Sequence, residues 1–176
     1  MITDTSLVDF ESLTLDNEYF PWYWKGKTTY NGHRFLGHTL VCRDTQKIHS
    51  SFWEDIVKPE FERLLDKNNL KLKKVLRAAI NLTTHFGDKD SEPHTDHDFP
   101  HYNMIIYCND SEGDTVLYTK VDKEDEDKVY LRQSLRISPE KNKVIIFDGT
   151  TYHAQGVIPA DVWREIIIIT FTATPA

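Results

Sequence analysis

Ile166-Ile167-Ile168-Ile169 is the stretch that most narrows what this chain can become. Consecutive β-branched side chains favour a strand. A run with no polar alternation offers no face to water, so this strand is expected to be buried on both sides. Other strand-like segments recur at 35–41, 72–86, 102–109, 115–121, 129–137, 144–147 and 152–154, each bounded by polar or glycine-containing turns. Short strands at this spacing predict a closed or sandwiched β architecture. A length of 176 residues suits one well-buried domain.

Helical signals are confined to the N-terminal part. Ser51 and Glu54 have capping-box spacing, and Phe52, Trp53, Ile56 and Val57 follow on one face. Pro59 interrupts that helix and suits the first turn of a second one, with Phe61, Leu64 and Leu65 apolar and Asn68-Asn69 at its end. Residues 72–86 predict a strand with two characters. Leu76, Ala78, Ile80 and Leu82 form an apolar face; Val75, Arg77, Ala79, Asn81 and Thr83 form the opposite one. The polar face is expected to line the interior, with Arg77 closing an ion pair there.

The chemistry-bearing residues fall into one constellation. His94 and Asp96 are two residues apart, so on a strand they point to the same side. His153 follows the strand at 144–147 and the Gly149 turn, and Arg164 opens the isoleucine strand. Two imidazoles and a carboxylate on one face of a metal leave the opposite positions open, an arrangement suited to non-haem Fe(II). An arginine at the head of a buried strand requires an anionic partner, because an unpaired buried guanidinium is costly. A dicarboxylate co-substrate is such a partner, held in a bidentate fork. A local zinc cluster of His94, His97 and His101 is a weaker reading, since the proline-broken spacing matches no common zinc pattern. The bland reading puts His97 and His101 on a solvated loop, and leaves His33 and His38 structural or on the surface.

His94-x-Asp96, a distal His153 and Arg164 eleven residues later resemble the Fe(II)- and 2-oxoglutarate-dependent dioxygenases, most closely the prolyl-4-hydroxylase-like group and its small bacteriophage-encoded members. Asn81-Leu82-Thr83-Thr84, Ile105-Ile106-Tyr107-Cys108-Asn109 and Glu112-Gly113-Asp114-Thr115-Val116-Leu117-Tyr118 carry the resemblance, which covers residues 75–171; Phe20-Pro21-Trp22-Tyr23-Trp24 is similar more loosely. The resemblance implies a mainly β fold: a double-stranded β-helix (jelly roll) core at 72–174 and a flank with a few supporting N-terminal helices at 1–71, together one domain over 1–176. It implies Fe(II) held by His94, Asp96 and His153. 2-Oxoglutarate would be bound by Arg164 with Tyr107 and Asn81, O2 would be the oxidant, and ascorbate an auxiliary reductant. The implied activity is hydroxylation of an unactivated C–H bond, prolyl-hydroxylase-like on a peptide or protein. Alternatives are hydroxylation of a free amino acid or small metabolite, and a metal-binding jelly roll without turnover. Asp96 disfavours halogenation, whose catalysts lack the carboxylate ligand. Thr170 stands where nucleic-acid repair relatives carry a second arginine.

Charge agrees with the last point. The formal net charge is −7, from 21 Lys and Arg against 28 Asp and Glu, which argues against a nucleic-acid partner. The N-terminus lacks a basic and apolar leader, and no apolar run is long enough to span a bilayer. Cys42 and Cys108 lie in apolar stretches, as expected of buried reduced thiols in a cytoplasmic protein. The aromatic cluster around Trp22 and Trp24 is read as core packing of the flank, the alternative being a substrate-facing wall. Residues 87–91 are expected to be a mobile loop at the mouth, and the charge run at 122–128 a solvated hairpin tip.

Overall fold

The computed structural model describes residues 2–26, 34–121 and 129–176. His33 and the proposed hairpin tip at 122–128 lie outside the described residues. Among the described residues, ten strands and two short α-helices follow in order: β1 (Ile2–Thr3), α1 (Phe10–Leu13), β2 (Tyr23–Lys25), β3 (Phe35–Val41), α2 (Lys58–Lys67), β4 (Leu70–Thr83), β5 (Tyr102–Tyr107), β6 (Thr115–Val121), β7 (Tyr130–Ile137), β8 (Lys143–Asp148), β9 (Tyr152–Gln155) and β10 (Arg164–Pro175). A seven-stranded sheet runs β1-β8-β5-β10-β4-β3-β2, and a three-stranded sheet runs β7-β6-β9. All pairings are antiparallel. This is a double-stranded β-helix, with the helices on the outer face of the larger sheet.

The isoleucine strand lies at the centre of that sheet, between β4 and β5. Its side chains alternate between two cores. Ile167, Ile169 and Phe171 join the layer under the helices, with Ala78, Ile80, Met104, Ile106, Phe61 and Leu64. Ile166 and Ile168 face the interior between the sheets, with Ala79, Ile105, Tyr107 and Ile145. Both faces are thus apolar, as the unalternated sequence requires, although the sheet is antiparallel rather than parallel.

The two faces of β4 separate as expected, with one exception. Val75 packs on the helix side. A register shift between β10 and β4 pairs Thr170 with Arg77 and Phe171 with Val75, so Leu76 is an extra residue that reverses the phase.

The helical segment also differs from expectation. Phe52 has no side-chain cap from Ser51; instead Ser50 Oγ accepts the Phe52 N–H at 3.2 Å. Trp53–Val57 forms a π-helical turn that runs directly into α2, with Pro59 in the first turn. The proline has no N–H to offer, and the wider turn before it accommodates the missing bond. Phe61, Leu64 and Leu65 are buried beneath α2, each stabilising the fold by about 1.5–3 kcal/mol.

The aromatic cluster divides. Phe20 is buried against Trp22, Phe52 and His38, whereas Tyr23 and Trp24 are 55% and 64% exposed. His38 is structural: its Nδ1 donates to the Pro21 carbonyl at 2.9 Å, and Ser50 Oγ lies 2.7 Å from its Nε2. Cys108 is buried, and burial pushes its thiol up. Cys42 is only half-buried, because it begins the 42–47 turn rather than sitting inside β3. Among the described residues, no helix is long and apolar enough to cross a membrane.

Glu165 is a fully buried acid in β10. Thr14, just after α1, donates to its Oε1, while Oε2 has no partner. Burial raises its carboxyl to about 7 against the pull of Thr14. A folded-state value above the unfolded one means that this group favours the fold below the ordinary glutamate range. That contribution is lost as pH rises towards about 7. Glu165→Gln is therefore expected to be more stable than the parent at pH 8, by about 1 kcal/mol or more, with a smaller advantage at pH 5. Urea denaturation at the two pH values measures this; an advantage that is larger at pH 5 contradicts it.

Candidate active site

Period-two alternation turns one residue in two of β4, β10 and β5 towards the interior. The register lines these residues up in rows. Thr83 is opposite Arg164; Asn81, Ile166 and Tyr107 form the next row; Ala79, Ile168 and Ile105 the next; Arg77, Thr170 and Asn103 the last. The interior therefore has a polar end at Arg164, an apolar middle and a second polar end at Arg77 and Asn103. The small sheet supplies the opposite wall, where Thr115 pairs with Gln155 and Leu117 with His153. Between them lies a cleft of about 1010 Å³. His94, Asp96, His153, Asn81, Arg77 and Arg164 all line it. The constellation scattered over 71 positions of sequence thus converges on one space.

His94 and His153 meet across an isolated antiparallel bridge. Each backbone N–H donates to the other's carbonyl, at 3.0 and 2.9 Å, and the ring centroids are 4.6 Å apart. Each ring makes the same local bond: His94 Nδ1 donates to the Glu92 carbonyl at 3.1 Å and His153 Nδ1 to the Thr151 carbonyl at 3.2 Å. With the proton on Nδ1, His94 presents its Nε2 lone pair to the cleft. Burial, reinforced by the neighbouring His153, pushes His94 down and keeps its imidazole neutral. His153 Nε2 is 3.5 Å from Asp96 Oδ2.

Asp96 is not on a strand; the chain leaves extended pairing after His94. Its carboxylate is held by side chains instead. Asn103 Nδ2 donates to Oδ2 at 2.9 Å; Arg43 and Arg77 reach Oδ1 at 2.8 and 3.3 Å. Arg43 also donates to the Asp96 carbonyl. Burial alone would raise this carboxyl, but His153, Arg77 and Arg43 together hold it well below the usual carboxylate range. The ion pair expected of Arg77 exists, and its partner is Asp96. Sequence reasoning did not find Arg43, which stands in a turn 53 residues away with no periodic signal, or assign Asn103 to the site.

The donor set fits a divalent metal in kind: two imidazoles and an ionised carboxylate. It is not closed on a point. Among the described residues, no group of three or more His, Cys, Asp and Glu stands in an arrangement that holds an ion, and Arg43 and Arg77 occupy one carboxylate oxygen.

Arg164 is 3% exposed. Its Nη2 donates to Thr115 Oγ1 at 2.9 Å, and its guanidinium lies over the Tyr107 ring, 5.6 Å from the centroid. Tyr107 is fully buried and its hydroxyl donates to the same Thr115 oxygen at 2.6 Å. Nε of Arg164 has no partner. Among the described residues no carboxylate forms an ion pair with it, and burial lowers its pKa. Tyr107 therefore supports Arg164 from behind through Thr115, and Gln155 adds a contact at 3.4 Å. In the sequence Thr115 marks only the start of a strand, since one hydroxyl carries no pattern. Gly113, at φ +87°, leaves room for Ile158, which a side chain there would strike.

The neighbouring histidines are not a solvated patch. His101 is buried, its Nδ1 donating to the Phe99 carbonyl at 2.8 Å, with its ring seated where a Gly149 side chain would stand. His97 Nε2 is hydrogen-bonded to Thr170 Oγ1 at 2.9 Å. The connection at 87–91 is pinned at its end: Arg136 bridges Asp90 and Asp114, and Ser91 and Gln155 exchange bonds of 2.8 and 2.9 Å.

Solved structures share this architecture. An oxidoreductase of the 2-oxoglutarate-Fe(II) oxygenase family from Burkholderia pseudomallei superposes with a TM-score of 0.61 at 13% identity, over 93% of this chain and 76% of that one. The fold is that of the 2-oxoglutarate-Fe(II) oxygenases. The non-haem α-ketoglutarate-dependent epimerase SnoN from nogalamycin biosynthesis gives 0.60 at 11% identity, over 88% and 68% of the two chains. A prolyl hydroxylase from Trichoplax adhaerens, in complex with a hypoxia inducible factor peptide fragment, gives 0.54 at 14%, over 84% and 70%. No family model and no curated protein matches the sequence. The neighbours include both a hydroxylase and an epimerase, so one oxygenase-type fold serves more than one reaction.

Thr115→Val removes the oxygen shared by Tyr107 and Arg164 while keeping the side-chain shape. It is expected to cost about 1–3 kcal/mol of stability, because two buried donors lose their acceptor. Urea denaturation checks this; an unchanged midpoint and slope would show that the shared oxygen contributes nothing.

Proposed function

We propose that this protein is an Fe(II)- and 2-oxoglutarate-dependent dioxygenase that hydroxylates an unactivated C–H bond, prolyl-hydroxylase-like on a peptide or protein. The observation that carries the reading is Arg164. A buried guanidinium with an orphaned Nε and no ion-pair partner among the described residues lines the cleft that also holds His94, Asp96 and His153. A structure that needs an anion there to complete its electrostatics is one that binds an anionic ligand in normal use.

In this reading His94, Asp96 and His153 hold the metal. Iron with 2-oxoglutarate supplies the oxidising chemistry: O2 converts the keto acid to succinate and CO2, and the second oxygen atom enters the substrate C–H bond. The remaining work belongs to the chain. Arg164 pairs with the far carboxylate of the co-substrate. Tyr107 and Thr115 fix the guanidinium plane, and Asn81, in the row next to Arg164, offers an amide to the same ligand. Asn103 and the backbone acceptors of Glu92 and Thr151 orient the three metal donors. Ala79, Ile105, Ile166 and Ile168 give the middle of the cleft an apolar lining that limits water.

Adding Fe(II) and 2-oxoglutarate to the protein without oxygen is expected to give the weak visible charge-transfer band of keto-acid chelation. Arg164→Ala is expected to weaken co-substrate binding at least about tenfold, with metal affinity nearly unchanged. His153→Ala is expected to abolish both the band and 2-oxoglutarate-dependent O2 uptake. Equal co-substrate affinity in Arg164→Ala and the parent removes the assignment of Arg164. A folded, metal-binding protein without the band removes the co-substrate reading altogether.

A further inference from the structure

The cleft has a second cationic centre that the co-substrate does not use. At the end of the interior opposite Arg164, Arg43 and Arg77 share a single carboxylate oxygen of Asp96. Two guanidinium groups on one carboxylate leave one positive charge in excess, beside the half-buried Arg77. Two more cations line the cleft. Lys25 Nζ reaches Thr39 Oγ1 at 3.3 Å, and Arg34 lies over Trp24; neither forms an ion pair among the described residues. Among the described residues, five Lys and Arg side chains thus line the cleft (Lys25, Arg34, Arg43, Arg77 and Arg164), against the carboxylates of Asp44 and Asp96. The whole chain has the opposite balance, with a net charge of −7. Cations gathered in one concave, partly apolar space on an acidic protein focus the field on what enters that space.

One of those excess charges, Arg164, is answered by 2-oxoglutarate in the function proposed above. The other lies beside Asp96, where Arg77 of β4 stands opposite Thr170 and Arg43 reaches in from the turn after β3, and no carboxylate of the co-substrate is assigned to it. We infer that the primary substrate is anionic: it carries a carboxylate or phosphate group that docks on Arg43 and Arg77 after passing Lys25 and Arg34. This rests on the dioxygenase reading for what is done to the substrate, but not for the docking itself. Arg34, Phe35 and Phe86 also wall a second, shallower groove of about 390 Å³ that includes Trp24 and Trp163. A substrate longer than the cleft, such as an acidic peptide, has an aromatic track on which to continue.

The test uses the full chain loaded with Mn(II) and 2-oxoglutarate, so that binding is read without turnover. Fluorescein-labelled peptides of equal length, with a central proline flanked by Glu, Gln or Lys, are titrated by fluorescence anisotropy, with free glutamate and inorganic phosphate as competitors. The Glu peptide is expected to bind at least about tenfold tighter than the Gln peptide, with affinity falling as salt rises. Lys25→Gln/Arg34→Gln is expected to lose most of that preference with unchanged 2-oxoglutarate affinity, and Arg77→Gln to lose the rest. Competition by free glutamate or phosphate at the affinity of the Glu peptide identifies a small anion as the source of the charge. Weaker competition identifies an acidic peptide; both support the inference. Equal binding of Glu and Gln peptides without competition by either anion overturns it, as does a preference untouched by all three substitutions. If 2-oxoglutarate still binds through Arg164 in that case, the dioxygenase reading survives alone. If 2-oxoglutarate does not bind while the acidic preference persists, that reading fails and the anionic docking stands.

Discussion

The pairing of β10 with β4 on one side and β5 on the other is the constraint on which the rest of this structure depends. It creates the rows in which Arg164 faces Thr83, and Arg77, Thr170 and Asn103 lie side by side. It also divides four isoleucines between two cores, so a single strand holds the helices on one face and closes the cleft on the other. Polar residues at the two ends of those rows are tolerated inside the protein because each is bonded: Arg77 and Asn103 to Asp96, Thr170 to His97, Arg164 to Thr115. The row of Ala79, Ile168 and Ile105 between them is apolar and needs no partners. The electrostatics of the cleft is therefore a consequence of where along three strands the sequence places its polar residues.

Much of this was legible in the chain. The isoleucine run announced a strand covered on both faces, the two-faced pattern of 72–86 announced which side of β4 is interior, and the spacing of His94, Asp96, His153 and Arg164 announced a convergent site. What was not legible has physical reasons. A bulge at Leu76 reverses a periodicity that sequence reading assumes constant. Arg43 reaches Asp96 from a turn after β3, and no local pattern marks a residue whose partner is 53 positions away. His101 looks like part of an exposed histidine patch, yet its ring fills the space that the absent side chain of Gly149 leaves free. The cap moved from Ser51 to Ser50 because the ring of His38, on β3, faces Ser50 Oγ, a tertiary contact outweighing a local rule.

Similarity to the solved oxygenases extends over most of the chain while identity stays at 11–14%. At that distance what is shared is the fold. On that fold this chain places a pair of arginines on Asp96 and an oxygen of Thr115 shared between Tyr107 and Arg164.

The bridge between His94 and His153 has a consequence of its own. The two imidazoles are joined by their backbones before they are joined by anything they bind, and each ring is aimed by a carbonyl two residues upstream. A slip of one residue in that bridge would bring Tyr152 or Ala154 opposite His94 and send the second imidazole to the outer surface. The identity of the donor atoms and the counting of peptide units are thus the same fact here. Whatever accuracy the site has in presenting two nitrogens to one point, it inherits from the arithmetic of strand pairing rather than from the flexible ends of the side chains.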